Sequence, residues 1–125
     1  MNYLVSIHPY YCDQIFAGRK TFEVRSRIPR LNVDDVIYVY ATAPISKVVG
    51  HFVVSGILQL PPMIAWECFQ PFLQITPLDF GVYTQGLTQV FLIQIGKTFK
   101  YETPSTLSEF GIKSAPQWFV KLKDK

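Results

Sequence analysis

The chain has 125 residues, 49% of them apolar, and carries 12 Lys and Arg against 9 Asp and Glu for a net charge of +3. That length is near the commonest for one domain, and the apolar share suffices for a core without metal or disulfide staples. No apolar run reaches the length of a membrane helix, and the opening MNYLVSIHPYY lacks the positive flank and small-residue cleavage site of a signal peptide. The expectation is one cytoplasmic domain over residues 1–125 with no membrane association. Cys12 and Cys68 are flanked by bulky residues, with no Cys or His at metal-ligand spacing, and are expected as buried reduced thiols.

Tyr3 to Ile7 is a short β-rich run, ended at His8-Pro9 because proline has a fixed φ, lacks a donor and suits the first turn of a helix. From Pro9 to Ala17, Tyr11, Cys12, Ile15 and Phe16 recur at helical spacing, and Gly18 stands where a helix end takes a left-handed residue. Lys20 to Arg25 alternates, which predicts a strand with Thr21, Glu23 and Arg25 on one face and Lys20, Phe22 and Val24 on the other. Pro29 and Asn32 to Asp35 read as a loop before a strand over Val36 to Thr42, stopped by Pro44. Lys47 to Leu60 is a second long β-rich run, with Gly50 and Gly56 permitting bulges or bends.

Pro61-Pro62 closes that run and opens a helix from Met63 to about Phe69, broken by Pro71. Thr76-Pro77 reads as the cap and first-turn proline of another helix, with Gly86 past its end. Thr88 to Tyr101 is the longest β-rich segment, apolar on both faces as a central strand would be, with a break expected at Gly96. Ser105 to Phe110 reads as a capped helical turn closed by Gly111, and Trp118 to Leu122 as a last strand. About six strands with short helices between them predict an α+β fold: a small, partly open mixed β-barrel, not a doubly wound sheet.

Arg19, Lys20, Arg25, Arg27 and Arg30 crowd together with Glu23 as the only acid among them. A charge run is usually a solvated face, and Glu23 and Arg25, two apart on one strand face, can simply pair with each other. The same row can also hold an anionic or amide-bearing ligand. Lys20 becomes a base or nucleophile only if desolvated. His8 and His51 have no adjacent partner and are expected to satisfy turn or core hydrogen bonds. Most aromatics must fill the core, while one at a pocket mouth can stack a base. P-loop, GxGxxG, GxSxG and HExxH motifs are missing, so neither a metal site nor a cofactor is expected.

The motif GxKxxExR, carried by Gly18, Lys20, Glu23 and Arg25, resembles the signature of the ASCH domain family. The opening LVSIHPYYCDQIFAG resembles that family's first strand and helix, VIYVYATAPISKVVGHFVV its middle strands, and LSEFGIKSAPQWFVKL its closing helix, Pro116-Gln117 turn and final strand. The resemblance implies a PUA-like barrel with a cleft beside the GxKxxExR strand and an RNA-related site. Some members are amidohydrolases on acetylated cytidine nucleosides, with a lysine at the Lys20 position, a threonine at the Glu23 position and a separate glutamate before a later helix. Here Glu23 replaces the hydroxyl, and Phe69 to Ile75 carries no acid, leaving Glu67 as a distant candidate.

The leading expectation is an RNA- or nucleotide-binding domain whose ligand-binding set is Lys20, Glu23, Arg25, Arg27, Tyr40, Thr42 and Gln117. There, cations hold phosphate, Glu23 accepts from a base amino group, and Tyr40 or Trp118 stacks. The alternative is a small amidohydrolase or other enzyme on modified nucleosides or RNA, with Lys20 and Glu23 catalytic. A third reading is an interaction module in which the Glu23 and Arg25 pair is structural. The expected partner is RNA or a nucleoside or nucleotide, and the long β-runs leave room for an edge strand that makes a homodimer.

Overall fold

Residues 1–123, the part of the chain that the computed structural model describes, follow the expected element order with shifted boundaries. β1 (Asn2–Ile7) leads into α1 (Pro9–Phe16), where the His8 side chain accepts from the Tyr10 N–H and Pro9 fills the first turn. β2 (Phe22–Arg25), β3 (Val36–Ala41) and β4 (Lys47–Leu60) follow, then α2 (Pro62–Leu73), α3 (Pro77–Thr84), β5 (Val90–Ser105), a 3-10 turn (Leu107–Phe110) and β6 (Val120–Leu122). The 3-10 turn has the reciprocal Thr106 and Glu109 capping box, and Gly111 ends it at φ 74°. Among the described residues no helix is long and apolar enough to cross a membrane.

Among the described residues six strands form one sheet in the order β2-β5-β4-β3-β1-β6. β1 runs parallel to β3, from Asn2 opposite Val36 to Ile7 opposite Ala41, and every other ladder is antiparallel. A parallel neighbour needs a crossover, which α1 and β2 supply. β4 and β5 are long enough to serve several partners, and their shared ladder slips register between Val48 and Gly50, between Phe52 and Val54, and between Val54 and Gly56. Such bulges bend strands and coil the sheet. Gly50 lies at the bend where α1 packs: a β-carbon there would collide with the Phe99 carbonyl oxygen and the Phe16 ring.

The barrel does not close. Among the described residues β2 and β6 stay as edges with no ladder between them. β2 is only four residues long, and the gap between it and β1 is crossed by a side chain, the Arg25 guanidinium donating to the Ser6 carbonyl at 3.1 Å. Three apolar clusters hold the sheet. Val5, Ile7, Ile15, Ile37, Val39 and Phe52 lie inside its curve beneath α1. Phe22, Val24, Leu73, Phe80 and Leu92 join α2 and α3 to β2 and β5. Leu4, Tyr40 and Val48 pack under the 3-10 turn. Fully burying each large aliphatic side chain contributes about 1.5–3 kcal/mol.

Several local expectations are corrected. α2 runs through Pro71 to Leu73. The proline costs the helix one backbone hydrogen bond, but Leu73, fully buried, and the Thr21 N–H that donates to the Phe72 carbonyl at 2.9 Å fasten the end. β5 is unbroken at Gly96 and extends through Pro104, because pairing with β4 continues to Ser105. β5 starts at Val90, β3 ends at Ala41, and the last strand is confined to Val120–Leu122. Both cysteines are free, but only Cys12 is buried; Cys68 faces solvent on α2. Burial first, and the nearby Glu23 charge second, push the Cys12 thiol up to about 12, which keeps it protonated.

Candidate functional site

The turn after α1 sets the site. Gly18 takes φ 81°, and the N–H groups of Arg19 and Lys20 both reach back to the Gln14 carbonyl at 3.0 Å. The hydrogen-bonded turn therefore reaches Lys20, and β2 begins at Phe22, the Thr21 carbonyl already accepting from the Ile95 N–H of β5 at 2.8 Å. This overturns the expected alternation at Lys20. Phe22 and Val24 do enter the core, but the Lys20 side chain swings to the Glu23 side instead of joining them.

Lys20 Nζ donates to the Leu73 carbonyl, the last of α2, at 2.6 Å, and lies 3.5 Å from Glu23 Oε1 and 5.1 Å from the Tyr11 ring centre. Glu23 Oε2 accepts from Arg25 Nη2 at 2.8 Å and from its Nε at 3.1 Å. Arg25 also packs over the Phe119 ring at 5.3 Å. One carboxylate is thus clamped between two cations, with Lys20 1% and Glu23 7% exposed. Side-chain polar atoms buried here have partners, as buried charges require.

Burial pushes the Lys20 ammonium below its usual range, and the Glu23 charge beside it recovers only part of that shift. Burial also pushes the Glu23 carboxyl up, but Arg25 and then Lys20 outweigh it and hold the group below the usual carboxylate range. The row therefore stands as cation, anion, cation, with one positive charge in excess.

A cleft of about 320 Å³ opens on this row. Lys20, Glu23 and Arg25 make its floor; Ser6 and Ile7 from the end of β1, and His8 and Tyr11 from the start of α1, make one wall. Ile75, Asp79 and Tyr83 make the other. Thr76 caps α3 by accepting from the Asp79 N–H at 3.1 Å, which orients that wall, and the Tyr83 hydroxyl accepts from the Ser26 N–H at 3.0 Å. A desolvated charge row beneath tyrosine rings can hold a planar polar group by stacking and an anion by its surplus cation.

The sequence-predicted set is only partly gathered. Arg27 is exposed outside the cleft, its guanidinium 4.6 Å over the Trp118 ring while the Trp118 N–H donates to the Arg27 carbonyl at 3.3 Å. Tyr40 is buried in the third apolar cluster, away from the cleft. The Thr42 N–H donates to the Ile7 carbonyl at 3.1 Å, tying β3 to the end of β1, and Gln117 is exposed beside Pro116, whose carbonyl accepts from Ser6 Oγ at 2.7 Å. None of these four lines the cleft, and neither does Glu67. The cleft instead brings in His8, Tyr11, Asp79 and Tyr83, which sequence reasoning did not assign. The His8-Pro9 and Thr76-Pro77 helix starts were the signals for His8, Tyr11 and Asp79, which stand at or just inside those starts; Tyr83, in the last turn of α3, had none. Among the described residues no group of three or more His, Cys, Asp and Glu is placed to hold a metal ion.

Residues 5–102 match the ASCH domain family, a span that includes the whole charged row. Over 83 residues the chain is 36% identical to a Zymomonas mobilis protein named ASCH domain-containing ribonuclease, covering 66% of this chain and 56% of that one. Over 121 residues it is 26% identical to ATP synthase subunit alpha of Ureaplasma parvum, covering 96% of this chain and 15% of that one. The chain thus spans well under two thirds of the curated relatives it matches. The crystal structure of ASCH from Zymomonas mobilis superposes with a TM-score of 0.91 at 22% identity, covering 98% of this chain and 87% of that one, a likeness of fold. With its fold recurring there, and with the family match running from β1 into β5, the chain belongs to the ASCH domain family.

Proposed function

We propose that this cleft binds a nucleotide of single-stranded RNA. The observation that carries the reading is the buried Lys20, Glu23 and Arg25 row at the floor of a cleft of about 320 Å³ flanked by Tyr11 and Tyr83. That volume lies at the small end of the ~300–1,000 Å³ typical of ligand sites, which suits one nucleotide and not a duplex. Lys20 and Arg25 attract phosphate to the floor of the cleft, away from the Asp79 carboxylate on its wall, the Glu23 oxygens accept from a base amino group, and a tyrosine face stacks the base. Arg27 over Trp118 extends the cationic and aromatic character outside the cleft, where the strand would leave. The Zymomonas mobilis relative named as a ribonuclease supports RNA as the ligand class.

The test is anisotropy of a labelled single-stranded RNA at several salt concentrations. Two cations meeting phosphate give a slope of log affinity against log salt of about −1.4. Salt-insensitive binding, or none by folded protein, overturns the proposal.

A second reading is cleavage of RNA, or hydrolysis of a modified nucleoside, with Lys20 as base and Glu23 as its acid-base partner. It is favoured by the downward push that burial gives Lys20 and by the ribonuclease name of that relative. A pH-rate profile left unchanged by Lys20→Met refutes it.

A further inference from the structure

A second cavity of about 520 Å³ adjoins the first, and His8, Tyr11, Ile75 and Asp79 line both. The two form one trench whose ends differ in chemistry. The first end is charged. The second adds the Tyr10 phenol and the Gln70 and Gln74 amides and no charged side chain beyond the shared Asp79. Tyr10 is 53% exposed and meets Tyr11 edge-on at 5.4 Å, which leaves its ring available to stack a planar group. Gln74 is held in place, its Nε2 donating to the Pro71 carbonyl at 2.7 Å. Neutral amides, which both donate and accept, can read a base edge beside an aromatic ring.

Asp79 stands at the junction. It is exposed, and among the described residues its carboxylate has no hydrogen-bond or ion-pair partner. A lone carboxylate repels a phosphodiester and accepts from a hydroxyl, and the ribose 2′-hydroxyl is the donor that lies between successive bases.

Resting on the RNA reading above, we propose that the trench holds two consecutive ribonucleotides. The first lies over Lys20, Glu23 and Arg25, the second base lies against Tyr10 and Gln70, and Asp79 accepts from the ribose 2′-hydroxyl between them.

The experiment is titration of the whole chain with a ribomononucleotide, a ribodinucleotide and the matching deoxyribodinucleotide. The ribodinucleotide should bind about tenfold or more tighter than the mononucleotide, as one added stacked base would give. Tyr10→Ala and Gln70→Ala should shrink that gain, weakening the dinucleotide more than the mononucleotide, and an undiminished gain in both variants overturns the second base's place against them. The deoxyribodinucleotide should bind about tenfold more weakly than the ribodinucleotide, and Asp79→Ala should abolish that difference. A mononucleotide that binds with no gain from the second nucleotide overturns the two-site trench and leaves the single-nucleotide cleft standing. Failure of both ligands to bind overturns the trench and the RNA reading together. Equal binding of ribo- and deoxyribodinucleotides overturns the part given to Asp79.

Discussion

Replacing Glu23 by Gln removes the only negative charge between two cations and keeps the side chain's size. Lys20, 1% exposed, would retain only the Leu73 carbonyl as a charge-stabilising acceptor. The Arg25 side chain, 19% exposed, would retain the Ser6 carbonyl and some water. Removing one partner of a buried pair costs about 3–5 kcal/mol. Arg25 is partly screened by solvent and the Gln amide still accepts one hydrogen bond, so the expected loss is at the low end, about 3 kcal/mol. For a chain of this size that lowers Tm by roughly 10 °C.

The pH dependence has a definite sign. The folded-state pKa of Glu23 is below its ordinary value of 4.5, so the pairing stabilises the fold above that value and is lost as pH falls through the folded pKa. Urea unfolding followed from neutral pH into the acid range should show a steeper acid loss in the wild type than in Glu23→Gln. A variant within about 1 kcal/mol of wild type and with the same acid slope would refute the buried charge row as a source of stability. A variant that loses stability but binds RNA normally would make the row structural alone.

Lys20→Met keeps the side chain's bulk and removes the ammonium. RNA affinity should fall about tenfold or more, as loss of a charged contact implies, and unchanged affinity would exclude Lys20 from the site. Because burial sets the folded pKa of Lys20 below 10.5, the wild type should gain stability as pH rises from the folded pKa toward 10.5, and Lys20→Met should not show that gain in alkaline urea melts. Gly50→Ala should cost about 1–3 kcal/mol in urea unfolding, because its β-carbon must displace the Phe99 carbonyl or the Phe16 ring, and a neutral result would show that the bend yields easily.

Much of the path from β1 to β5 was legible in the chain. The bounds of β4, Lys47–Leu60, follow from its β-branched residues and the Pro61-Pro62 stop. Both α1 and α3 start at a proline after a capping side chain, and Gly18, Gly86 and Gly111 take the left-handed φ expected of them. These features rest on neighbouring residues, so neighbouring residues reveal them. Pro71 and Gly96 misled for the same reason: each weakens its own element, and packing of Leu73 and pairing with β4 carry the element through.

The candidate site divides along the same line. By itself the sequence determined that Gly18, Lys20, Glu23 and Arg25 stand close together, that Glu23 and Arg25 share a strand face, and that the family is ASCH. Only the tertiary structure decided that Lys20 reaches Glu23, that Tyr40 is buried away from the cleft, and that His8, Tyr11, Asp79 and Tyr83 stand around it. Alternation places side chains only where the backbone is extended, and it fails at Lys20, still inside the turn. The cleft walls come from α1 and α3, which are far apart in the chain and meet only because the curled sheet carries both to the gap between β1 and β2 that its open edge leaves.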